Sequence, residues 1–405
     1  MRRELECSVE FAELALSGGA VAEPIGLPAK CYTSPEFYDF ELSSIWGCDW
    51  FCVGRDSDVP CAGDYYTLQI GPEPVVVIRG DDDQVRVLSS VCRHRGMIVV
   101  EGRGSVRHLR CPFHSWSYST SGKLVSAPDM SQVPGFERAT FDLPEIKSVG
   151  WLGFRFATFN PEPSDLLDRL SEAEASLAHY ELSELAASSP LELEIYPCNW
   201  KLFADECYHC SLLHSQTWHK LYPTPRSRVD LSTPYHDVEA GVIAYELVGT
   251  HLDASPTRTG SALHPILPRL TTEERSRLRY TTVMPNLLIV AMPDKVKYFM
   301  WLPAGPTQSY FGVSWLFPES TRQMSSFETT FEMERHDLAP VMVEDVLVWS
   351  GTQRGLRSRF APRSPYAPAE RVVADFNRWC VNHYLAAEQK REWEQATSSR
   401  KDSIS

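Results

Sequence analysis

No uninterrupted apolar stretch in the 405 residues approaches the roughly 20 needed to cross a bilayer as a helix, which argues against a membrane protein. Positive charge is also short. There are 39 Lys and Arg against 53 Asp and Glu, a net charge of -14, and no basic run long enough for a nucleic-acid footprint. The first residues, Met1-Arg2-Arg3-Glu4-Leu5-Glu6-Cys7, lack the apolar core of a secretory signal, so a cytoplasmic location is expected. No internal repeat is visible, which excludes a solenoid. Cysteine is plentiful, but its 11 copies are odd in number and scattered, so no disulfide framework is indicated. What is present is a 43% hydrophobic chain, long enough for two or three domains around a large core.

Two short motifs stand out: Cys92-Arg93-His94 and, after sixteen intervening residues, Cys111-Pro112-Phe113-His114. Two thiolates and two imidazoles are the ligand set of a [2Fe-2S] cluster in which two His replace two Cys on one iron. A zinc site can also use Cys2His2, but zinc fingers usually put both Cys in one half and both His in the other, with the His on a helix. Here each half holds one of each, as a cluster requires if both halves are to serve both irons.

Around these motifs the texture is β-rich. Tyr65–Ile70, Val75–Ile78 and Val85–Leu88 read as strands of an antiparallel meander, separated by Gly71-Pro72 and by Gly80-Asp81-Asp82-Asp83. A hairpin is predicted through Ser115–Tyr118 and Ser121-Gly122-Lys123, and one further strand over Gly150–Ala157. Before them lies an arm, residues 1–40, with a helix capped by Ser34 and started by Pro35. After them, a helix is predicted from Ser164 to about Leu185 with Leu166, Leu170, Ala173 and Leu177 as its apolar stripe. Strand-like runs at 191–195, 242–245, 280–284, 287–290, 298–301 and 310–315 make a second antiparallel sheet. The divisions expected are 1–40 for the arm, 41–160 for the small β domain, 161–390 for an α+β domain and 391–405 for a charged tail.

A second concentration of ligand types is Asn199-Trp200-Lys201-Leu202-Phe203-Ala204-Asp205-Glu206-Cys207-Tyr208-His209-Cys210-Ser211-Leu212-Leu213-His214. On a straight helix His209 and His214 stand roughly 140° apart, so sharing one metal requires a break or bulge between them. Glu206, three before His209, neighbours it as an acceptor for its ring proton. Each His also reads as a hydrogen-bonded core residue, and Cys207-x-x-Cys210 as a redox pair or half a zinc site. Two His and one carboxylate make the facial triad of non-heme Fe(II) oxygenases, which prompts a search for the acid. A helix predicted from Pro340 carries Val341, Asp345, Val348, Trp349 and Thr352 on one face, where an acid needs a partner. Glu344 falls on the other face, with Asp337, Leu347 and Gly351, so Asp345 is the better ligand; a solvated Asp is the bland alternative.

Together the two constellations resemble the catalytic α subunit of Rieske non-heme iron oxygenases over about residues 30–385. The residues that carry the resemblance are Cys92, His94, Cys111 and His114, then Asn199-Trp200-Lys201 leading into Glu206-x2-His209-x4-His214, then Glu344-Asp345 and Gln353-Arg354-Gly355-Leu356. The resemblance implies an α+β fold: an N-terminal all-β Rieske domain followed by a helix-grip catalytic domain with an antiparallel sheet, assembled head to tail as a homotrimer. It also implies a [2Fe-2S] cluster, a mononuclear Fe(II) on His209, His214 and Asp345, and Glu206 as an acid bridging His209 to His114 of the partner subunit, with Asn199 among the catalytic residues. Two features depart from the family pattern. Glu stands where Asp is usual, closest to the branch acting on carnitine, choline and glycine betaine, and the interval from Asn199 to Glu206 is about three residues shorter than usual.

The function so implied is the oxygenase component of a multicomponent system. Electrons from an NAD(P)H-dependent flavin or iron-sulfur reductase, or a ferredoxin, enter at His94 and His114, and O2 is used to hydroxylate or demethylate a small organic substrate such as a quaternary amine. The alternatives are cis-dihydroxylation of an aromatic ring, an electron-transfer protein without oxygenase activity, and a zinc-binding structural protein.

Overall fold

Residues 9, 11–18, 24–204 and 226–402 are described by the computed structural model of the chain. Val75 to Ile78, an unbroken apolar run, is buried throughout, because alternate side chains of a strand enter different cores. Val75 and Val77 join the large core that reaches Trp200, Trp301 and Phe376, whereas Val76 and Ile78 join a small core containing Cys92, Cys111, Trp116 and Tyr118.

That run lies in a seven-stranded antiparallel sheet built from β1 (Phe51–Arg55), β2 (Asp64–Ile70), β3 (Glu73–Arg79), β4 (Val85–Ser89), β5 (Arg103–Ser105), β9 (Glu145–Trp151) and β10 (Phe154–Thr158). The order is β1-β10-β9-β4-β3-β2-β5, so the predicted meander β2-β3-β4 is its centre. A separate three-stranded sheet, β6 (Leu109–Arg110), β7 (Ser117–Tyr118) and β8 (Leu124–Ser126), supports the second Cys-His motif. The single strand expected over Gly150–Ala157 is instead a hairpin, because Leu152 and Gly153 both take left-handed conformations and turn the chain.

The second sheet has eight strands. They are β11 (Ala186–Ala187), β12 (Glu194–Tyr196), β13 (Arg226–Asp230), β14 (Val242–Gly249), β15 (Arg277–Val283), β16 (Leu287–Ala291), β17 (Val296–Gly305) and β18 (Gln308–Phe317). β14 to β18 pair in chain order, and β12 adds to β18. The two sheets are joined by polar links as well as by the core. Asn286 accepts from Cys52 N–H and donates to Cys52 C=O, both at 2.8 Å, and the buried Arg55 donates to the carbonyls of Leu182 and Leu185.

Of the helices, α1 is Phe11–Ala15 and α2 is Pro35–Glu41, which has the Ser34 cap and Pro start read from the sequence, the Ser34 hydroxyl accepting from Phe37 N–H. α3 is Leu166–Leu177 with the predicted stripe buried. Within the Ser164-Asp165 pair that opens it, Asp165 is the cap, its carboxylate accepting from both Leu167 N–H and Asp168 N–H, and short 3-10 turns replace the predicted end of the helix. α4 is Phe327–Leu356, so Pro340 sits inside a 30-residue helix and does not begin one. The helix forms regardless because packed faces on both sides of Pro340 outweigh the lost hydrogen bond. α5 is Arg371–Asp402, which carries the charged stretch beyond Glu388 on as helix.

The arm is not peripheral: Leu27, Cys31, Tyr32 and Phe37 lie in the large core. Glu41, fully buried at the end of α2, is held by Lys201 Nζ at 2.6 Å, by Trp200 Nε1 at 3.3 Å and by the Tyr384 hydroxyl from α5. A buried charge needs such partners, and removing one leaves the other uncompensated. The Lys201→Met variant is expected to lose about 3–5 kcal/mol of stability, the scale for breaking a buried pair. The double change Glu41→Leu with Lys201→Met should recover much of it, as read from denaturant midpoints.

A second buried network packs α4 on the eight-stranded sheet. Glu334 lies 3.2 Å from Lys295, 3.7 Å from Lys297 and 3.6 Å from His264, and Lys295 also pairs with Asp294 at 3.0 Å. Burial pushes the Glu334 carboxyl up, but Lys295, His264 and Lys297 together hold it down to about 2, below its ordinary 4.5. A carboxylate depressed in this way stabilises the fold above pH 4.5 and loses that contribution as pH falls toward 2. Glu334→Gln should therefore be less stable than the parent at pH 7, with the gap between the two closing between pH 4.5 and 2; a gap independent of pH would contradict it.

Candidate functional site

The two Cys-His motifs form loops with the same hydrogen bonds. Cys92 N–H donates to Met97 C=O at 2.8 Å and Gly96 N–H to Cys92 C=O at 3.0 Å; Cys111 N–H donates to Trp116 C=O at 2.8 Å and Ser115 N–H to Cys111 C=O at 3.1 Å. In each loop the fifth residue is left-handed, Gly96 at φ 74° and Ser115 at φ 61°. Gly is the ordinary solution to that requirement. Ser115 meets it under strain and is tied down by Arg110, which donates to its hydroxyl at 3.0 Å.

This shared geometry buries both thiols, each 2% exposed, and leaves His94 exposed and His114 half-buried. The imidazoles come together, with ring centroids 4.7 Å apart. Burial pushes the Cys92 thiol up; the Tyr118 hydroxyl and the backbone at His94 oppose the shift, and the adjacent Cys111 adds to it. Two adjacent buried thiols beside paired imidazoles are a donor set that a bound cation stabilises. The arrangement fits a [2Fe-2S] cluster with two protein ligands per iron. Among the described residues no three His, Cys, Asp or Glu side chains converge as they would on a single ion.

Two aromatic residues finish this end, and neither was singled out from the sequence. Trp116 is buried and stacks on His94 at 4.8 Å and 8°. Tyr118 places its hydroxyl 3.3 Å from Cys92 Sγ while accepting Arg93 N–H at 3.0 Å, so its own proton is free to point at the sulfur. Their spacing of two along a β-rich run was the available signal, since it puts both on one side.

In the second constellation the described residues stop at Ala204, so Glu206, His209 and His214 lie outside them. Asn199 is buried and its side chain is fully engaged: Oδ1 accepts Lys201 N–H at 3.1 Å and Nδ2 donates to Pro306 C=O at 2.9 Å. The first bond caps the turn that opens the segment and the second ties that turn to the connection between β17 and β18, a positioning task. Asp345 is half-buried on the α4 face that includes Leu338, Val341 and Trp349. Thr352, expected on that face, is exposed; Gln353 is buried there in its place. Trp349, one turn past Asp345, is packed by Phe203 at 4.8 Å, Phe311 at 5.1 Å and Tyr196 at 5.7 Å. These rings fill one another's space as core.

The sequence pattern described as "Ring hydroxylating alpha subunit (catalytic domain)" matches residues 167–386, and that of the "Rieske [2Fe-2S] domain" matches residues 49–137. The glycine betaine monooxygenase oxygenase subunit of Chromohalobacter salexigens is 26% identical over 89% of this chain and 86% of its own length. Biphenyl 2,3-dioxygenase subunit alpha of Rhodococcus jostii is 32% identical, but over 47% of this chain and 42% of its own. The solved structure of the quaternary ammonium Rieske monooxygenase CntA with L-carnitine superposes with a TM-score of 0.72 at 19% identity, covering 94% of this chain and 99% of that one. At that identity the likeness speaks to the fold.

The Tyr118 hydroxyl stabilises extra negative charge on Cys92 sulfur, so Tyr118→Phe should lower the reduction potential of a cluster held there. A hydrogen bond of about 1 kcal/mol corresponds to roughly 40 mV for one electron. A redox titration followed by EPR reads the shift, and an unchanged potential would count against the contact.

Proposed function

The chain belongs to the ring-hydroxylating alpha-subunit family, whose Rieske domain binds a [2Fe-2S] cluster and whose catalytic domain binds mononuclear iron, and on that footing we propose that it is the oxygenase component of a multicomponent Rieske system. The observation that carries the reading is the pair of equivalent loops, each burying a thiol and presenting an imidazole, in one chain with a catalytic sheet overlain by the helix of Asp345. We assign Cys92, His94, Cys111 and His114 to the cluster and His209, His214 and Asp345 to the iron, with Glu206 as the bridging acid. Bound there, the two centres supply one-electron transfer and O2 activation.

The residues' own parts follow from their surroundings. The buried thiols and their apolar core keep water from the cluster's sulfur side, while the exposed imidazole edges are where an electron donor, an NAD(P)H-dependent reductase or a ferredoxin, makes contact. Two His and one carboxylate leave ligand positions for O2 and substrate on one face. A homotrimer, in which the partner subunit's His114 meets Glu206, is the assembly that gives the bridge its purpose. Monooxygenation or demethylation of a quaternary amine is favoured over dihydroxylation of an aromatic ring by the Glu206-Cys207-Tyr208-His209-Cys210 segment. It is also supported by the long alignment to a glycine betaine monooxygenase subunit, set against the half-length one to the biphenyl enzyme.

Metal content separates this from an electron carrier: three irons per chain are expected, and two would leave only the cluster. His209→Ala and Asp345→Ala should each keep the cluster spectrum, lose the third iron and abolish product. Glu206→Gln should hold all three irons yet slow electron transfer between the centres; an undiminished single-turnover rate would refute the bridge. With a surrogate reductase, product formation on methylated amines but not aromatic acids is expected, and the reverse would turn the reading toward a dioxygenase.

A further inference from the structure

Helix α4 is pinned at two buried polar points, and Asp345 lies between them. Eleven residues before it is Glu334 with its Lys295, Lys297 and His264 neighbours. Eight residues after it is Gln353, 2% exposed, with both halves of its carboxamide in use. Its Oε1 accepts Asn199 N–H at 2.7 Å, and its Nε2 donates to Tyr32 C=O at 3.0 Å. One side chain therefore joins the helix of Asp345 to the first residue of the segment that leads to His209 and His214, and to the arm behind both.

The far side of that joint is rigid. Asn199 caps its own turn and reaches Pro306, while Trp200 and Lys201 are fastened to Glu41. The near side is rigid too, because Trp349, one turn before Gln353, is packed by Phe203 from that same segment. A buried amide persists only where its hydrogen bonds are satisfied, and among the described residues the partners of this one, Asn199 and Tyr32, both lie across the joint. Metal ligands tolerate errors of only about 0.5 Å.

We propose that Gln353 is a positioning residue for the mononuclear iron, setting the separation between the helix of Asp345 and the segment of His209 and His214. This rests on the reading of those three residues as ligands. The test measures ferrous affinity by chelator competition on cluster-loaded protein, with thermal midpoint and cluster absorption recorded alongside. Gln353→Leu, which fills the space but makes neither bond, should weaken ferrous binding by about 10- to 100-fold, the scale for residues that orient ligands, with the cluster unchanged.

Gln353→Glu retains the acceptor for Asn199 N–H and should restore most of the lost affinity. Wild-type affinity in Gln353→Leu, even with a lowered thermal midpoint, overturns the proposal, since a merely structural role moves the midpoint alone. A folded Gln353→Glu that binds ferrous iron about 10- to 100-fold more weakly than wild type overturns it too, and that measurement decides the matter if Gln353→Leu does not fold. Asp345→Ala serves as the separate control: unimpaired iron binding there defeats the ligand assignment itself, whatever Gln353 does.

Discussion

A carboxylate with no access to water has to find its partners within the protein, and Glu41 finds three of them on two elements at once. Lys201 and Trp200 come from the turn that opens the segment after Asn199, and Tyr384 comes from α5. The Lys201 ammonium also lies over the rings of Tyr32, Trp200 and Phe37, so the charge pair is walled by aromatic faces and its electrostatic attraction is little screened. Such a pair adds little net stability over an apolar substitute, but it fastens α2, the Trp200-Lys201 turn and α5 to one another. The place where the segment proposed to hold the iron begins is thereby tied to the N-terminal arm.

At the cluster end the constraint is different. Strict alternation along β3 divides its side chains between two cores, and the smaller one receives the thiols of Cys92 and Cys111. Two loops with the same pair of hydrogen bonds then carry the imidazoles outward, although His94 is two residues past its Cys and His114 is three. The one-residue difference is absorbed inside loops whose ends are fixed. Trp116 and Tyr118, reaching up from β7 and the residue before it, set the ring plane of His94 and address the Cys92 sulfur.

Much of this was legible in the chain. Ligand chemistry limits a cluster to a few residue types, so Cys92, His94, Cys111 and His114 could be proposed by type and spacing, and the fold brings their two loops side by side; Asp345 was proposed on the same grounds. The strands were legible as β-branched and aromatic runs, and the α2 cap as Ser34-Pro35. Boundaries were less so. The helix expected to reach Leu185 ends at Leu177 in 3-10 turns, Leu152-Gly153 split one expected strand into a hairpin, and Pro340 was carried through α4 by packing on either side. The face of α4 was read correctly at Val341, Asp345 and Trp349 but closed with Thr352, where a polar residue, Gln353, is the buried one.

By itself, then, the sequence determined the kinds of chemistry present and the periodicities of the elements that carry them, since both are properties of residues a few positions apart. Tertiary structure alone decided which buried polar groups satisfy one another. Glu41 and Lys201 are 160 residues apart, Glu41 and Tyr384 are 343 apart, and Gln353 is 154 from Asn199 and 321 from Tyr32. No local pattern encodes such a match. It follows from packing two sheets and the helices over them, because each buried donor or acceptor must be paired by whatever the fold brings within reach.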